Sequence, residues 1–482
     1  METKVYGKPM YVAGRWVEKE AVIEVKNPQD GSFIAHVPAA TENDVLMTIK
    51  EAESGAKTAA SMPVHVRMAV LHKAADYIEK HRDTFATTIA LEGSKTIREA
   101  NGEVTRCIQT LRLSAEEARR IKGETIPFDQ TESGENRIGY YTKFPIGLIA
   151  AITPFNDPLN LVAHKVGPAI ASGNAIIVKP ATATPLSALL LAEAFDNAGL
   201  PPKVLSVITG NGRIIGDLLV SHPAIRMVSF TGGLETGEEI AKKAGLKKLS
   251  MELGSNSPVI VMKDADMNEA VECTVAGAFS AAGQNCLGVQ RIYIEQEVFE
   301  QFTTQFVQRT RQYNVGDKLS ASTDMGPLIS EKEAIRVESW VQEAVLEGAE
   351  LLVGGVRTGA FYSPTVLVNV PMHCTIAQQE IFGPVVLLYP VNRLEMAIEL
   401  ANNVNYGLQA GIFTANIENA FKAIQGLEVG GILINDSSDF RIDGMPFGGV
   451  KGSGLGREGV KFAIEEMTET KVVSFKLGSL KG

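Results

Sequence analysis

Chemistry in this chain can begin at Cys286, in the run Ala282-Gly-Gln-Asn-Cys286-Leu-Gly288. A thiol attacks only as the thiolate, which needs a polar, accessible setting, and a glycine turn with Gln284 and Asn285 beside it supplies one. Cys273, inside the helical run Ala270–Ala281, fits a small core residue better, and Cys107 and Cys374 have no supporting neighbours. Glu252, in Leu249-Ser-Met-Glu252-Leu-Gly254, puts a carboxylate into an otherwise apolar strand. Burying it unpaired is costly, so a shifted pKa or a function is expected there. Asn156 (Thr153-Pro-Phe-Asn156) and Glu380 (Gln379-Glu-Ile-Phe-Gly-Pro-Val385) are also polar groups in apolar surroundings, readable as site residues or as satisfied turn residues.

Phosphate-binding chemistry has its own candidates. Gly210-Asn-Gly212-Arg-Ile-Ile-Gly216 follows one strand and opens a helix, where bare backbone and a helix N-terminus suit an anion. Its G-x-G-x-x-x-G spacing is one residue longer than the usual dinucleotide fingerprint, so a plain turn stays open as the alternative. Phe230-Thr231-Gly232-Gly233-Leu-Glu-Thr-Gly237 is a second such turn. Lys179 closes the run Ala175–Val178, a position suited to a ribose or phosphate, or else to an exposed loop lysine.

Positioning these residues requires strands that end together. Ile146–Ile152, Ala175–Val178, Val204–Ile208, Arg226–Phe230 and Leu249–Leu253 read as buried strands alternating with helices. Thr184-Pro185 opens one of those helices, and Gly199 with Pro201 closes it. That alternation implies an α/β fold with a doubly wound parallel sheet, which binds nucleotides at the carboxyl ends of its strands. Before about residue 120 the chain reads as mostly helical, with Thr41 and Asp44 capping one helix and a periodic stretch from Val66 past Ile78 to Ala90. A second α/β stretch spans 256–452, with helices expected at 267–281, 297–313, 331–347, 394–402 and 417–425 and a strand at 431–434. The strand-like tail Lys471-Val-Val-Ser-Phe475 needs a pairing partner.

At 482 residues the chain exceeds one ordinary core, and its net charge of −10 gives no electrostatic case for nucleic acid or an anionic membrane surface. No apolar run approaches the roughly 18 residues that span a bilayer, and the polar start METKVYGKPM lacks the core of a secretory signal. Four dispersed cysteines and seven scattered histidines argue against a disulfide framework and against a metal site. A reduced cytoplasmic enzyme is the expectation.

Seven stretches, in order, resemble the NAD(P)-dependent aldehyde dehydrogenase superfamily over essentially the whole chain. They are Pro154-Phe-Asn156, Lys179-Pro-Ala181, Phe230-Thr-Gly232, Met251-Glu-Leu-Gly254, Gly283-Gln-Asn-Cys286, Glu380-Ile-Phe-Gly-Pro384 and Pro446-Phe-Gly-Gly449. The resemblance implies that Cys286 is the nucleophile, that Asn156 and the Cys286 N–H hold the oxyanion, and that Glu252 activates water. It implies an NAD or NADP site made by Ile152, Thr153, Pro154, Phe155, Lys179, Thr182, Gly212, Gly216, Phe230, Thr231, Gly232, Gly233, Gly237, Leu253, Glu380 and Phe382. Glu252 favours water over coenzyme A as acyl acceptor, because acylating relatives characteristically lack it. The implied architecture is two doubly wound domains, cofactor (1–123 and 143–253) and catalytic (254–452), with a small β bridging segment (124–142 and 453–482) that supports a homodimer or homotetramer.

Departures from the family pattern carry information. Thr182 stands where NAD-preferring relatives usually have a glutamate, so the repulsion of a 2′-phosphate is missing and NADP is expected to be accepted. The run Asn435–Gly459 is most similar to the lactaldehyde, non-phosphorylating glyceraldehyde-3-phosphate, sulfolactaldehyde and phosphonoacetaldehyde dehydrogenases. Arg106, in Glu103-Val-Thr-Arg106, and Arg441 could clamp a substrate anion. Asp157 and Asn285 line the same expected site, and Asp157 or Asp443 could instead neutralise the arginines. A short hydroxylated or anionic aldehyde is therefore the expected substrate, with succinate semialdehyde or a broad aliphatic range as the alternative.

Overall fold

Five strands of near-continuous apolar character pair in parallel to form the centre of the first sheet. A computed structural model, describing residues 7–478, orders them Leu205–Val207, Ala175–Lys179, Leu148–Ile152, Met227–Thr231 and Lys248–Glu252. Their side chains are buried on both faces under helices, as parallel sheets require. Chain order reverses between Leu148–Ile152 and Met227–Thr231, so a crevice opens beyond Ile152 and Thr231. The antiparallel pair Met10–Val12 and Arg15–Val17 closes one edge, and Gly454–Leu455 pairs with Lys248–Glu252 at the other.

The second sheet runs in the order Glu350–Val353, Thr365–Val368, Val385–Val391, Val289–Glu295, Ser257–Val261, Gln409–Phe413, Gly431–Ile434. Only its first strand is antiparallel. A separate three-stranded sheet joins Thr468–Lys476, Arg137–Pro145 and Glu124–Thr125.

Two expectations change. The first forty residues are not helical: strands Val22–Lys26 and Phe33–Pro38 follow the edge pair, because short period-two runs are separated by left-handed turns at Gly14 (φ 85°) and Gly31 (φ 72°). The periodic stretch from Val66 to Ala90 is two helices, Val64–Lys80 and Arg82–Glu92, parted at His81, whose ψ of 23° leaves the helical region. The helix Glu42–Ser61 does start from Thr41 and Asp44, in a reciprocal capping box. The tail strand finds its partner, Arg137–Pro145, in its own chain. Helix Val460–Glu466, inside the expected bridging segment, packs instead on helices Ile97–Ala118 and Asn160–Ala171 of the first unit. The polar residues 1–6 lie outside the described ones.

Candidate active site

The turn that carries Cys286 is held in a costly conformation. Helix Met267–Phe279 ends, and Ala281 (φ 49°), Ala282 (φ 57°) and Gly283 (φ 69°) are then all left-handed. Each such non-glycine residue costs of order 1 kcal/mol or more and persists only when its surroundings impose it. The surroundings here are hydrogen bonds within the turn and to other elements. The Ala281 N–H donates to Glu99 Oε1 (2.7 Å), Gln284 Nε2 donates to Ala281 O (3.0 Å), and Gln284 Oε1 accepts from the Ile329 N–H (2.9 Å). A Cβ on Gly283 would collide with the Gly383 carbonyl, so the turn requires glycine there.

Cys286 comes out half-buried at a cavity of about 470 Å³, lined also by Asn156, Asp157, Asn285, Arg106 and Arg441. Burial, and after it the carboxylate of Glu380, pushes its thiol up to about 12, with Glu252 and Glu458 adding to the effect and Arg441 opposing it. Among the described residues neither the Asn156 side chain nor the Cys286 N–H has a hydrogen-bond partner. Both donors are therefore available to a ligand in the cavity.

Glu252 ends its strand buried, 3% exposed, and neither carboxylate oxygen has a partner among the described residues. Burial, and then the like charge of Glu458, raises its pKa well above the usual carboxylate range, while Arg441 and Lys165 pull it down. Glu458 itself is paired with Lys165 (3.0 Å) and Arg441 (3.4 Å), and these cations overcome its burial to hold it at about 2. Two neighbouring carboxylates are thus shifted in opposite directions.

The crevice beyond the first sheet forms a cleft of about 620 Å³, lined by Ile152, Lys179, Gly212, Arg213, Gly216 and Lys243. Lys179 is buried, with only the Pro180 carbonyl as partner among the described residues (3.0 Å), and burial lowers it to about 8. Thr182 is exposed and donates to Gly210 O (3.2 Å), at the glycine loop but outside the cleft lining. The Thr153 N–H donates to Lys179 O (3.2 Å), tying the ends of two adjacent strands. Pro154 and Phe155 follow at this sheet edge, and the buried hydroxyls of Thr153 and Thr231 have no partner among the described residues. Phe230 packs beneath Gly232, Gly233 caps helix Leu234–Ala244, and Leu253 packs against Gly237, where any Cβ would approach it to 2.5 Å. Glu380 crosses from the second unit, accepts from the Ser255 N–H (2.9 Å) and occupies the space a Cβ on Gly254 would need. Burial raises it to about 7. Phe382 (φ 47°) meets Phe155 edge-on at 5.7 Å. A buried cation beside one helix N-terminus, a second N-terminus, and an acceptor carboxylate fit the phosphate and ribose groups of a dinucleotide.

On the substrate side the two arginines differ. Arg106 is engaged by Asp157 (3.3 Å) and Asp443 (2.9 Å), the ordinary neutralising outcome. Arg441 stacks on Phe447 (3.7 Å) and pairs with Glu458 alone (3.4 Å) among the described residues; its buried Nε, like that of Arg106, has no partner among them. Asn285 donates to Asp439, and burial raises Asp439 to about 7. Sequence reasoning missed Lys95, which lines the cavity bonded to Asp157 and Glu103, and the Lys165–Glu458 pair. None of these has a local signal, because each partner lies on a different element. Among the described residues no cluster of metal-binding side chains occurs, and no helix is long and apolar enough to cross a membrane.

The aldehyde dehydrogenase family model matches residues 16–473, and the chain belongs to that family. It is an NAD(P)-dependent aldehyde dehydrogenase, oxidising an aldehyde to the acid. It is 50% identical to aspartate-semialdehyde dehydrogenase 1 of Pseudomonas canavaninivorans, over 94% of this chain and 96% of the relative. It is 45% identical to a 3-sulfolactaldehyde dehydrogenase of Priestia aryabhattai, over 99% of both chains. The structure of an NADP-dependent glyceraldehyde-3-phosphate dehydrogenase from Bacillus halodurans C-125, complexed with NADP, superimposes with a TM-score of 0.95 at 37% identity, covering 98% of this chain and all of that one. The sulfolactaldehyde and glyceraldehyde-3-phosphate relatives fall in the branch that the Asn435–Gly459 run resembles.

Proposed function

We propose that the enzyme oxidises a short aldehyde bearing an anionic or hydroxyl group, through a Cys286 thioester that water hydrolyses. The observation that carries this reading is one cavity holding the Cys286 thiol, the unengaged Asn156 amide and the Arg441 guanidinium, with an unpaired buried carboxylate behind it. Cys286 Sγ adds to the carbonyl carbon, and its proton leaves to a base. The oxyanion is held between the Asn156 side-chain amide and the Cys286 N–H, donors aimed where charge develops. Glu380 and Phe382 would hold the nicotinamide nucleotide, which would supply the hydride acceptor. Glu252, whose burial favours proton uptake, accepts a proton from the water that cleaves the thioester. Arg441 holds the substrate anion by charge-assisted hydrogen bonds.

Names of relatives that act on sulfolactaldehyde and glyceraldehyde 3-phosphate support a short, charged substrate. We further propose that strand Thr468–Lys476, whose outer edge has no partner among the described residues, pairs the chain into a homodimer or tetramer. A cytoplasmic location is proposed from the unpaired cysteines.

Initial rates with lactaldehyde, glyceraldehyde 3-phosphate, sulfolactaldehyde, phosphonoacetaldehyde, succinate semialdehyde and a neutral aliphatic aldehyde, each with NAD and NADP, test the substrate. Cys286→Ser should abolish turnover. Glu252→Gln should slow hydrolysis by about 10²–10⁴ and leave an acylated enzyme detectable by mass. Undiminished turnover by either variant would overturn the mechanism.

A further inference from the structure

We infer that Glu99 is a positioning residue for the reaction: it fixes the Cys286 turn, in the second unit, against the Asn156 loop, in the first, so that the two oxyanion donors meet. This rests on the proposed oxyanion reading and deepens it.

The two donors come from different sheets. Asn156 follows strand Leu148–Ile152 of the first, and Cys286 follows helix Met267–Phe279 of the second. One helix, Ile97–Ala118, reaches both. Its Glu99, Glu103 and Arg106 stand at i, i+4 and i+7 and so share a face. Glu103 is 2% exposed, and its Oε1 accepts from the N–H groups of Leu159 (2.8 Å) and Asn160 (3.0 Å). Helix Asn160–Ala171 has no side-chain cap of its own, so Glu103 supplies the acceptor that its first N–H groups need. The other Glu103 oxygen accepts from Lys95 Nζ (2.9 Å), which also pairs with Asp157, and Arg106 grips Asp157 as well (3.3 Å). The segment on the C-terminal side of Asn156 is thereby fixed to this helix face.

Glu99 sits one turn nearer the start of the same helix. Its Oε2 accepts from the Thr96 N–H (2.8 Å) and hydroxyl (3.0 Å), closing a capping box. Capping accounts for that oxygen alone. Oε1 reaches into the second unit and accepts the Ala281 N–H at 2.7 Å. Helix Met267–Phe279 has ended by then, and Ala281 is left-handed (φ 49°), a conformation that needs an outside hold. Ala281 is also the anchor of the turn, because its carbonyl accepts both the Gln284 N–H (3.1 Å) and Gln284 Nε2 (3.0 Å). A shift at Ala281 is therefore carried through Gln284 to Cys286, two residues further on. With Glu103 holding the Asn156 side, the rigid helix between Glu99 and Glu103 sets the spacing of the two donors.

The test separates positioning from capping. Glu99→Asp keeps a carboxylate in the first helical turn but draws it back from Ala281 by the length of a methylene. Thr96→Ala removes the capping hydroxyl and leaves the Ala281 contact in place. Initial rates of the full-length enzyme are measured with whichever of lactaldehyde, glyceraldehyde 3-phosphate and sulfolactaldehyde the wild type oxidises fastest, alongside Tm and the cofactor Kd from fluorescence titration. Glu99→Asp should lower kcat by about 10–10²-fold while KM and the cofactor Kd stay within about threefold, since a misplacement near 1 Å costs up to about 10²-fold. Thr96→Ala should lower Tm and keep kcat within about twofold. In an Asn156→Ala background the fall caused by Glu99→Asp should shrink by at least about threefold, because one of the two donors to be aligned is gone. A kcat for Glu99→Asp within about twofold of wild type, or a fall that multiplies in full with that of Asn156→Ala, would overturn the inference. If Asn156→Ala itself turns over undiminished, the oxyanion reading fails and the inference with it. A slow Asn156→Ala beside an unimpaired Glu99→Asp removes the inference alone.

Discussion

Replacing Glu458 with glutamine removes the like charge that, after burial itself, does most to raise Glu252. It also leaves Lys165 and Arg441 without their carboxylate, and both cations pull Glu252 down. The two effects have the same sign. At an effective dielectric of about 20, one neighbouring unit charge is worth about 2–3 kcal/mol, or about two pH units. Lys165→Met has the opposite sign, because it removes a cation and raises Glu252 further. The assay is single-turnover release of the acid from the acyl-enzyme as a function of pH. The acidic limb of that profile, where Glu252 takes up its own proton, should move to lower pH in Glu458→Gln and to higher pH in Lys165→Met. Thermal unfolding gives a second readout. Glu458 is held at about 2 against an ordinary 4.5. A depressed carboxylate stabilises the fold fully above about pH 4.5 and loses that contribution as pH falls toward 2. The Tm gap between wild type and Glu458→Gln should therefore be full at neutral pH, where breaking such a buried pair costs about 3–5 kcal/mol, and should close on acidification. Limbs that fail to move, or that move in the same direction in the two variants, would refute this electrostatic account of Glu252.

Three other outcomes follow from the geometry. Catalytic efficiency with NADP should lie within about tenfold (roughly 1.4 kcal/mol) of that with NAD, and Thr182→Glu should move the ratio toward NAD by about tenfold or more, read from initial rates with each cofactor. Gly283→Ala, whose methyl would collide with the Gly383 carbonyl at a left-handed position, should lower kcat by about 10²-fold by displacing the Cys286 turn, with a fall in Tm. Arg106→Ala should leave the ratio of activities on charged and neutral aldehydes unchanged, because Asp157 and Asp443 already engage that side chain, whereas Arg441→Ala, which removes the cation proposed to hold the substrate anion, should lower it.

Local rules were enough for much of the scaffold. Apolar runs between Ile146 and Leu253 agree with the five parallel strands to within one or two residues at each end, because a strand buried on both faces has little choice of composition. Helices at Glu331–Leu346 and Leu394–Asn402 were equally legible from their periodicity. The N-terminal strands were not, since strands of three to six residues leave too few periods to separate from helix.

What the sequence by itself determined was the inventory: a cysteine in a glycine turn, a glutamate at the end of an apolar strand, a lysine at a strand's carboxyl end, and motifs in an order that only one family shares. These signals are local, so spacing preserves them. What only the tertiary structure decided was which charges meet. Arg106 and Arg441 look alike in the chain, yet Arg106 meets carboxylates 51 and 337 residues away, while Arg441 meets Glu458, 17 residues away. Pairing depends on distance and burial after folding, and neither is encoded within any one segment.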